Sequence, residues 1–353
     1  MKFDTLSATL QWVRSALFGA MAMGATFAYA DSISPTSFAA SLGVGDSVTI
    51  TKTVVVTAAP PTTAPIDVMF VFDTTGSMGS AIATAKSAAS GILAGLASFG
   101  SLQAGVAFYN DPGHGITQNL TASTSAVQTA INGYSAGGGG DFPELGWAGI
   151  GTAADSGTWR AGSNRFIIVF GDAPFKDGEG YTQASANAAV AAKGAKVIGM
   201  NYGGTGAGSF GGDIDTFAGS QLFSGTTSAT TVTADILAGV TSGFSTYSTV
   251  TVGDLGAGFP DIAVSTLCTS ADIGTCGGAT ATGVYDRSVD RTFSFDVTFT
   301  RTGSADAAFD THALVDGKIV ASERDRFEVP EPTSLALVGL SLFGLGLARR
   351  RRA

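Results

Sequence analysis

The chain has 353 residues with 19 basic and 28 acidic side chains, and its formal net charge at pH 7 is −9. Several of the basic residues lie in the terminal segments, as Lys2, Arg14 and Arg349–Arg352, so the central part is more acidic than the whole. An acidic surface repels nucleic acid and anionic lipid, which excludes them as partners of the main body. About 300 residues remain between the ends, enough for two domains of ordinary size.

Residues 1–30 have the features of a secretory signal peptide. Lys2 and Arg14 precede an apolar stretch, Ser15–Phe27, and Ala28-Tyr29-Ala30 has the small-x-small form of a cleavage site. Cleavage there leaves Asp31 as the first residue of the mature protein. An uncut membrane anchor is the alternative, although the apolar stretch is shorter than the roughly 20 residues that a span needs.

Residues 31–65 favour β structure followed by a linker. Val48, Ile50, Val54 and Val56 alternate with Ser and Thr, and only Lys52 interrupts the apolar face. A Pro- and Thr-rich segment, residues 58–65, follows as the linker.

Residues 66–247 alternate between strand-like and helix-like patterns. Strands are predicted at residues 67–72, 102–109, 165–170 and 195–202, and helices at residues 80–99, 123–134, 181–193 and 232–247. The strand at 165–170 is apolar apart from its first residue, as expected when both faces of a sheet are covered. This alternation predicts an α/β fold with a doubly wound, mainly parallel open sheet.

Oxygen-bearing side chains fall where the predicted strands end. Asp73, Thr75 and Ser77 follow the first strand, Asp172 follows the third, and the glycine-rich loop 137–144 ends in Glu144. Ligands of such a sheet bind beyond the carboxyl ends of its strands, and an all-oxygen set suits Mg²⁺. The alternative is that Asp73 and Ser77 only cap the following helix.

The region 66–247 resembles a von Willebrand factor A domain. Asp73, Thr75 and Ser77 match the Asp-x-Ser/Thr-x-Ser element of its metal-ion-dependent adhesion site, and 140–144 (Gly-Asp-Phe-Pro-Glu) is similar to the Asp-x-Pro-Glu loop of the integrin β-type subgroup. The resemblance implies that Asp73, Thr75, Ser77, Glu144 and Asp172 hold Mg²⁺, or Ca²⁺ or Mn²⁺, directly or through water.

The same resemblance implies a possible second metal near Asp141. Gly139, however, stands where a side-chain ligand is expected nearby. Ser80-Ala81 replace the paired acids of the integrin pattern, so an adjacent regulatory metal is not expected.

Residues 248–329 do not continue the alternation of strands and helices. Phe293, Phe295, Val297 and Phe299 alternate with polar residues, and Asp316-Gly317 predicts a tight hairpin turn. We expect both flanks to form one small β-sandwich into which the A domain is inserted. Cys268 and Cys276 predict a structural disulfide in an oxidising compartment; the alternative is a metal or redox pair.

Residues 330–353 resemble a PEP-CTERM sorting signal. Val329-Pro330-Glu331-Pro332 leads into an uncharged stretch, Thr333–Ala348, and then into Arg349–Arg352. The resemblance implies a transient inner-membrane helix in a Gram-negative bacterium, processing by an exosortase, and release to the cell surface or extracellular matrix. A plain C-terminal membrane anchor is the alternative.

These features predict a secreted or surface-displayed protein that binds a partner carboxylate, on a protein or matrix polymer, through a divalent metal. The first alternative is a passive matrix protein whose metal only stabilises the fold. The second is a matrix-polymer hydrolase, but no nucleophile or acid–base pair supports it, so we do not expect an enzyme.

Overall fold

A computed structural model describes residues 30–206, 208–258 and 261–330. The predicted signal peptide and the predicted C-terminal helix therefore lie outside the described residues. Within these ranges, no helix combines the length and the apolar character needed to cross a membrane.

The strands and helices follow one another in an order that separates three segments. The N-terminal flank contains β1 (Ser32–Ser34), β2 (Ser37–Ser41) and β3 (Ser47–Val56). The central segment contains β4 (Ala64–Asp73), α1 (Gly79–Ala97), β5 (Gly100–Tyr109), β6 (His114–Thr121), α2 (Thr124–Gly133), α3 (Gly146–Ser156), β7 (Asn164–Gly171), α4 (Gln183–Lys193), β8 (Ala195–Asn201), α5 (Gly211–Ile214), β9 (Gln221–Ser224) and α6 (Ala229–Gly243). The C-terminal flank contains β10 (Thr246–Gly253), β11 (Ile262–Ser270), β12 (Thr275–Gly277), β13 (Thr280–Asp286), β14 (Arg291–Arg301), β15 (Ala307–Val315) and β16 (Lys318–Glu328).

The central segment forms an open sheet with the strand order β6-β5-β4-β7-β8-β9. Every neighbouring pair is parallel except β5 with β6, which is antiparallel. Separate apolar cores cover the two faces of the sheet. Because β4 is enclosed on both faces, its residues 68–72 are apolar without alternation. The predicted α/β fold class is confirmed.

The central segment differs from the prediction in the bounds of its last helix and in four elements that were not predicted, β6, α3, α5 and β9. The last helix ends at Gly243, and Thr246 already begins β10, so the predicted helix 232–247 extends too far. Helix α3 was not predicted because it contains glycines, which have low helix propensity. A Cβ on Gly146 would lie 2.1 Å from Phe175, and one on Gly149 would lie 2.6 Å from Tyr109. Close packing against aromatic rings therefore accounts for these glycines.

The two flanks share one hydrophobic core between two sheets. One sheet has the order β1-β3-β14-β11 and the other the order β12-β13-β10-β15-β16-β2. Strands from before and after the central segment thus lie side by side, as in β3 with β14 and β2 with β16. The chain leaves this sandwich after β3 and returns to it at β10.

Two local predictions for the sandwich are confirmed. Asp316 and Gly317 both have positive φ, 47° and 72°, as a two-residue hairpin turn between β15 and β16 requires. Cys268 of β11 forms a disulfide with Cys276 of β12, with 5.4 Å between their Cα atoms. Because β11 and β12 are edge strands of different sheets, the disulfide joins the two sheets at one side of the sandwich.

Candidate metal centre

The first segment of the candidate site is the carboxyl end of β4. Asp73 is fully buried, and its Oδ1 accepts hydrogen bonds from the backbone N–H of Thr75, at 2.8 Å, and from the Thr75 hydroxyl, at 2.7 Å. The hydroxyl oxygens of Thr75 and Ser77 are 3.5 Å apart, and Ser77 is exposed. No side chain caps the N-terminus of α1. The helix-cap alternative for Asp73 and Ser77 therefore has no support in this arrangement.

The second segment is the glycine-rich loop, which runs directly against the first. The backbone N–H of Gly76 donates to the carbonyl of Gly138, at 3.1 Å, and the N–H of Gly137 donates to the carbonyl of Thr74, at 3.0 Å. The Asn110 amide also donates to the carbonyls of Thr74 and Gly137. These bonds fix the loop beside the end of β4.

Gly139 explains why the loop departs from the integrin pattern at this position. Its φ is +91°, which favours glycine, and a Cβ there would lie 3.1 Å from the Cβ of Thr75 and 3.7 Å from Oε1 of Glu144. A side chain at this position would crowd both Thr75 and Glu144. The same distances place these two residues next to one glycine.

The third segment follows β7 and holds Glu144 in place. The N–H of Glu144 donates to the carbonyl of Pro174, and the N–H of Lys176 donates to the carbonyl of Glu144. Asp172 stands immediately after β7 and is half-exposed. A Cβ on the preceding Gly171 would lie 2.5 Å from the Tyr109 hydroxyl, so that hydroxyl lies next to the end of β7.

The structure brings the three predicted carboxylates into one electrostatic environment. Burial raises the pKa of Tyr109 well above its ordinary value, and the nearby carboxylates of Asp73, Asp172 and Glu144 raise it further. The Tyr109 hydroxyl has no hydrogen-bond partner of normal geometry although it faces Asp73. Sequence reasoning missed Tyr109, but its position at the end of β5, beside β4, was a signal that could have identified it.

Two carboxylate oxygens of the site are buried and lack a hydrogen-bond partner, namely Oδ2 of Asp73 and Oε2 of Glu144. Burial raises the pKa of Asp73 to about 6, partly opposed by its bonds from Thr75. Burial also raises the pKa of Glu144 to about 7, and the charge of Asp73 raises it further. A bound cation would supply the positive charge that these two oxygens lack.

Asp141, predicted to join a possible second metal site, has a different partner here. The Lys176 ammonium forms ion pairs with both Asp141 and Asp111. This Lys176 cluster lies at the rim of the site, and Asp141 is largely exposed. The Lys176 ammonium therefore already neutralises the Asp141 carboxylate. Lys176 was missed because nothing in its local sequence indicates the contact.

The donor set fits a hard cation that is held mainly by oxygen ligands of mixed type. In the described ranges, no three side chains of His, Cys, Asp or Glu are arranged to hold a metal ion by themselves. The predicted set adds two hydroxyls to its carboxylates, and Mg²⁺ usually completes such an oxygen set with water. The assignment of these five residues as metal ligands stays a prediction.

Comparisons with known proteins agree with the fold. A family model for the von Willebrand factor A domain matches residues 67–200, and one for the PEP-CTERM protein-sorting motif matches residues 328–352. The chain therefore contains a von Willebrand factor A domain and ends in a PEP-CTERM sorting motif, as the resemblances predicted. This motif implies export and processing by an exosortase. No curated protein matches the sequence significantly.

Two of the matches among solved structures have low similarity to this chain. The von Willebrand factor type A protein from Catenulispora acidiphila is 14% identical, with 85% of this chain and 73% of that chain covered and a TM-score of 0.44. The proximal thread matrix protein 1 from the mussel byssus was solved with zinc in its metal-ion-dependent adhesion site (MIDAS) motif. It is 16% identical, with 54% of this chain and 47% of that chain covered and a TM-score of 0.41. This chain thus spans about half the length of the byssus protein.

Proposed function

We propose that this protein is an exported binding protein of the cell surface or extracellular matrix of a Gram-negative bacterium, and that it captures a partner through a divalent metal. The observation that carries the proposal is the pair of buried, unpartnered carboxylate oxygens on Asp73 and Glu144 at the carboxyl edge of the sheet. Buried carboxylates without a partner are costly, and a cation between them removes that cost.

In the proposed site, Asp73, Thr75 and Ser77 hold the ion from one side, and Glu144 and Asp172 hold it directly or through water. The bound ion, Mg²⁺ or alternatively Ca²⁺ or Mn²⁺, supplies a positive charge with an open coordination position. A carboxylate from a protein or matrix partner fills that position. We infer binding rather than catalysis, because the site combines carboxylates with hydroxyls, which are ligand types that suit a hard cation.

The metal is tested by calorimetric titration of the purified protein with MgCl₂ and MnCl₂. We expect saturable binding, and a loss of affinity of at least about 10-fold in Asp73→Asn, which keeps the side-chain shape but removes the charge. Asp215→Asn is the matched control, because Asp215 is exposed and lies outside the site. Equal affinity in all three proteins would contradict the metal site.

The binding role is tested separately with extracellular polymer from the producing bacterium, immobilised on beads. We expect retention of the protein in Mg²⁺, release by EDTA, and renewed retention when Mg²⁺ is restored. Asp73→Asn should bind no better than the EDTA-treated protein. Metal binding without metal-dependent retention would instead support the passive matrix role, in which the ion only stabilises the fold.

A further inference from the structure

Lys52 is buried completely inside the β-sandwich. It belongs to β3, where residues with even numbers face the core, so the residue that interrupts the apolar pattern still points inward. Its side chain crosses to the opposite sheet and contacts β16. A lysine is almost never fully buried unless it is paired.

The partners of Lys52 are two buried carboxylates on β16. Its Nζ lies 3.1 Å from both Oδ1 and Oδ2 of Asp325, and it also forms an ion pair with Glu323. The side chains of Lys52, Glu323 and Asp325 are all 0% exposed. The hydroxyl of Thr311 donates to Oδ2 of Asp325, and the ring of Phe299 lies 5.1 Å from Nζ. We call Lys52, Glu323 and Asp325 the core triad.

The core triad is poorly stabilised as a set of ions. Two carboxylates share one ammonium, and neither oxygen of Glu323 has a hydrogen bond of normal geometry. Burial lowers the pKa of Lys52, and Asp325 opposes this effect only in part. An apolar setting thus favours the neutral amine of Lys52 over its charged form.

From this geometry we propose that Lys52 and Asp325 join in an intramolecular isopeptide bond. The neutral Nζ attacks Cγ of Asp325, a C–N bond forms, and one Cγ–O bond breaks. One proton of the Lys52 ammonium passes to Oδ1 of Asp325 before the attack, and Glu323 carries a second proton from the attacking nitrogen to the same oxygen, which then leaves as water. The ammonium and the carboxylate are thereby converted into one neutral amide and one water molecule, and no other reagent is needed.

Each neighbour of the pair has a role in this step. The Thr311 hydroxyl donates to Oδ2 of Asp325 and stabilises negative charge on that oxygen as the carbon becomes tetrahedral. The surrounding aromatic side chains of Phe299, Phe309 and Phe327 exclude water from the bond. The product replaces two buried charges with a neutral group, which an apolar core tolerates better.

The bond would join positions that are far apart in the sequence. Lys52 and Asp325 are separated by 273 residues, and the whole A domain lies between them. One end is on β3, the last strand before that domain, and the other is on β16, the last strand of the sandwich. The link therefore closes a loop around the inserted domain and ties the two sheets together.

The bond is tested by the intact mass of the purified full chain after reduction of its disulfide. We expect a mass about 18 Da below that of the unmodified sequence, the loss of one water. Glu323→Gln, prepared in the same way, should show no such loss, because its amide cannot shuttle the proton. A wild-type mass equal to that of the unmodified sequence would overturn the proposal, whatever the variants do.

Trypsin digestion identifies the two residues that are joined. Cleavage after Arg324 and Arg326 leaves Asp325 in a dipeptide and Glu323 in the peptide 319–324. We expect the Asp325-Arg326 dipeptide to be attached to the peptide that contains Lys52, with no cleavage after Lys52. A link to the peptide 319–324 would overturn the assignment of Asp325.

Lys176 provides the matched control for this chemistry. It also contacts two carboxylates, Asp111 and Asp141, but its cluster is partly exposed. We expect normal cleavage after Lys176 and the same mass loss of about 18 Da in Lys176→Met as in the wild type. Loss of the modification in Lys52→Met but not in Lys176→Met supports the core triad, and the opposite pattern would overturn it.

Discussion

Two lysines of this protein each contact two carboxylates, yet their surroundings differ. Lys52 lies in the dry core of the sandwich, whereas Lys176 lies at the rim of the candidate metal site with 23% of its side chain exposed. Burial lowers the pKa of Lys52. Burial also acts to lower the pKa of Lys176, but its bonds to Asp111 and Asp141 raise that pKa on balance. The number of partners is equal, so burial decides whether a lysine stays a cation or becomes a nucleophile.

The same contrast applies to the carboxylates of the two regions. In the core triad, Asp325 has an ammonium and a hydroxyl beside it. At the candidate metal centre, Asp73 and Glu144 each have a buried oxygen without a partner. The first region can remove its charges by forming a bond within the chain. The second retains them, which suits a cation from solution.

The largest expected effect follows removal of the covalent link. Glu323→Gln keeps the contact between Lys52 and Asp325 but should prevent the bond. We expect a loss of up to about 5 kcal/mol in the free energy of unfolding, by the chain-entropy estimate for a cross-link of this span. Guanidinium unfolding followed by circular dichroism measures it. An unchanged midpoint would show that the sandwich gains nothing from the link.

The next effect concerns Asp73 in metal-free protein. Its pKa is raised from 3.8 to about 6, so the folded state holds the proton more tightly than the unfolded state. The stability due to this group is present at pH 4 and is lost as the pH rises through about 6, at a cost of about 3 kcal/mol. Asp73→Asn should therefore be more stable than the wild type at pH 7.5 in EDTA.

Saturating Mg²⁺ should reverse this order at pH 7.5. The ion binds the ionised wild-type carboxylate and stabilises the folded state, whereas Asp73→Asn gains little. Thermal unfolding in EDTA and in Mg²⁺, at pH 4 and at pH 7.5, measures both effects. A wild-type protein that becomes more stable with rising pH in EDTA would contradict the unpartnered state of Asp73.

The smallest effect is expected at the exposed lysine. Lys176→Met breaks two ion pairs that are in contact with water, and such pairs contribute no more than about 1 kcal/mol each. We expect a small shift of the guanidinium midpoint at low ionic strength and a smaller one in 1 M NaCl. A cost as large as that of Glu323→Gln would remove the distinction between the two lysines.

The sequence predicted those features that depend on local pattern. The apolar run of β4 with Asp73 at its end and the Asp316-Gly317 turn each contain their signal within a few residues. The relation of Lys52 to Asp325 could not be predicted, because it depends on how two sheets face each other across the core. The Lys176–Asp141 contact was missed for the same reason, since it joins separate loops.

The inserted topology controls the direction in which the A domain points. Two chain crossings connect it to the sandwich, from Val56 to Ala64 and from Gly243 to Thr246. In addition, Ile319 of β16 forms hydrogen bonds with Gly162 and Asn164 at the start of β7. The candidate metal centre lies at the opposite edge of the sheet. A domain held at two crossings cannot rotate as freely as one on a single tether, so the candidate metal centre stays directed away from the sandwich. The C-terminal sorting motif follows the last strand of that sandwich.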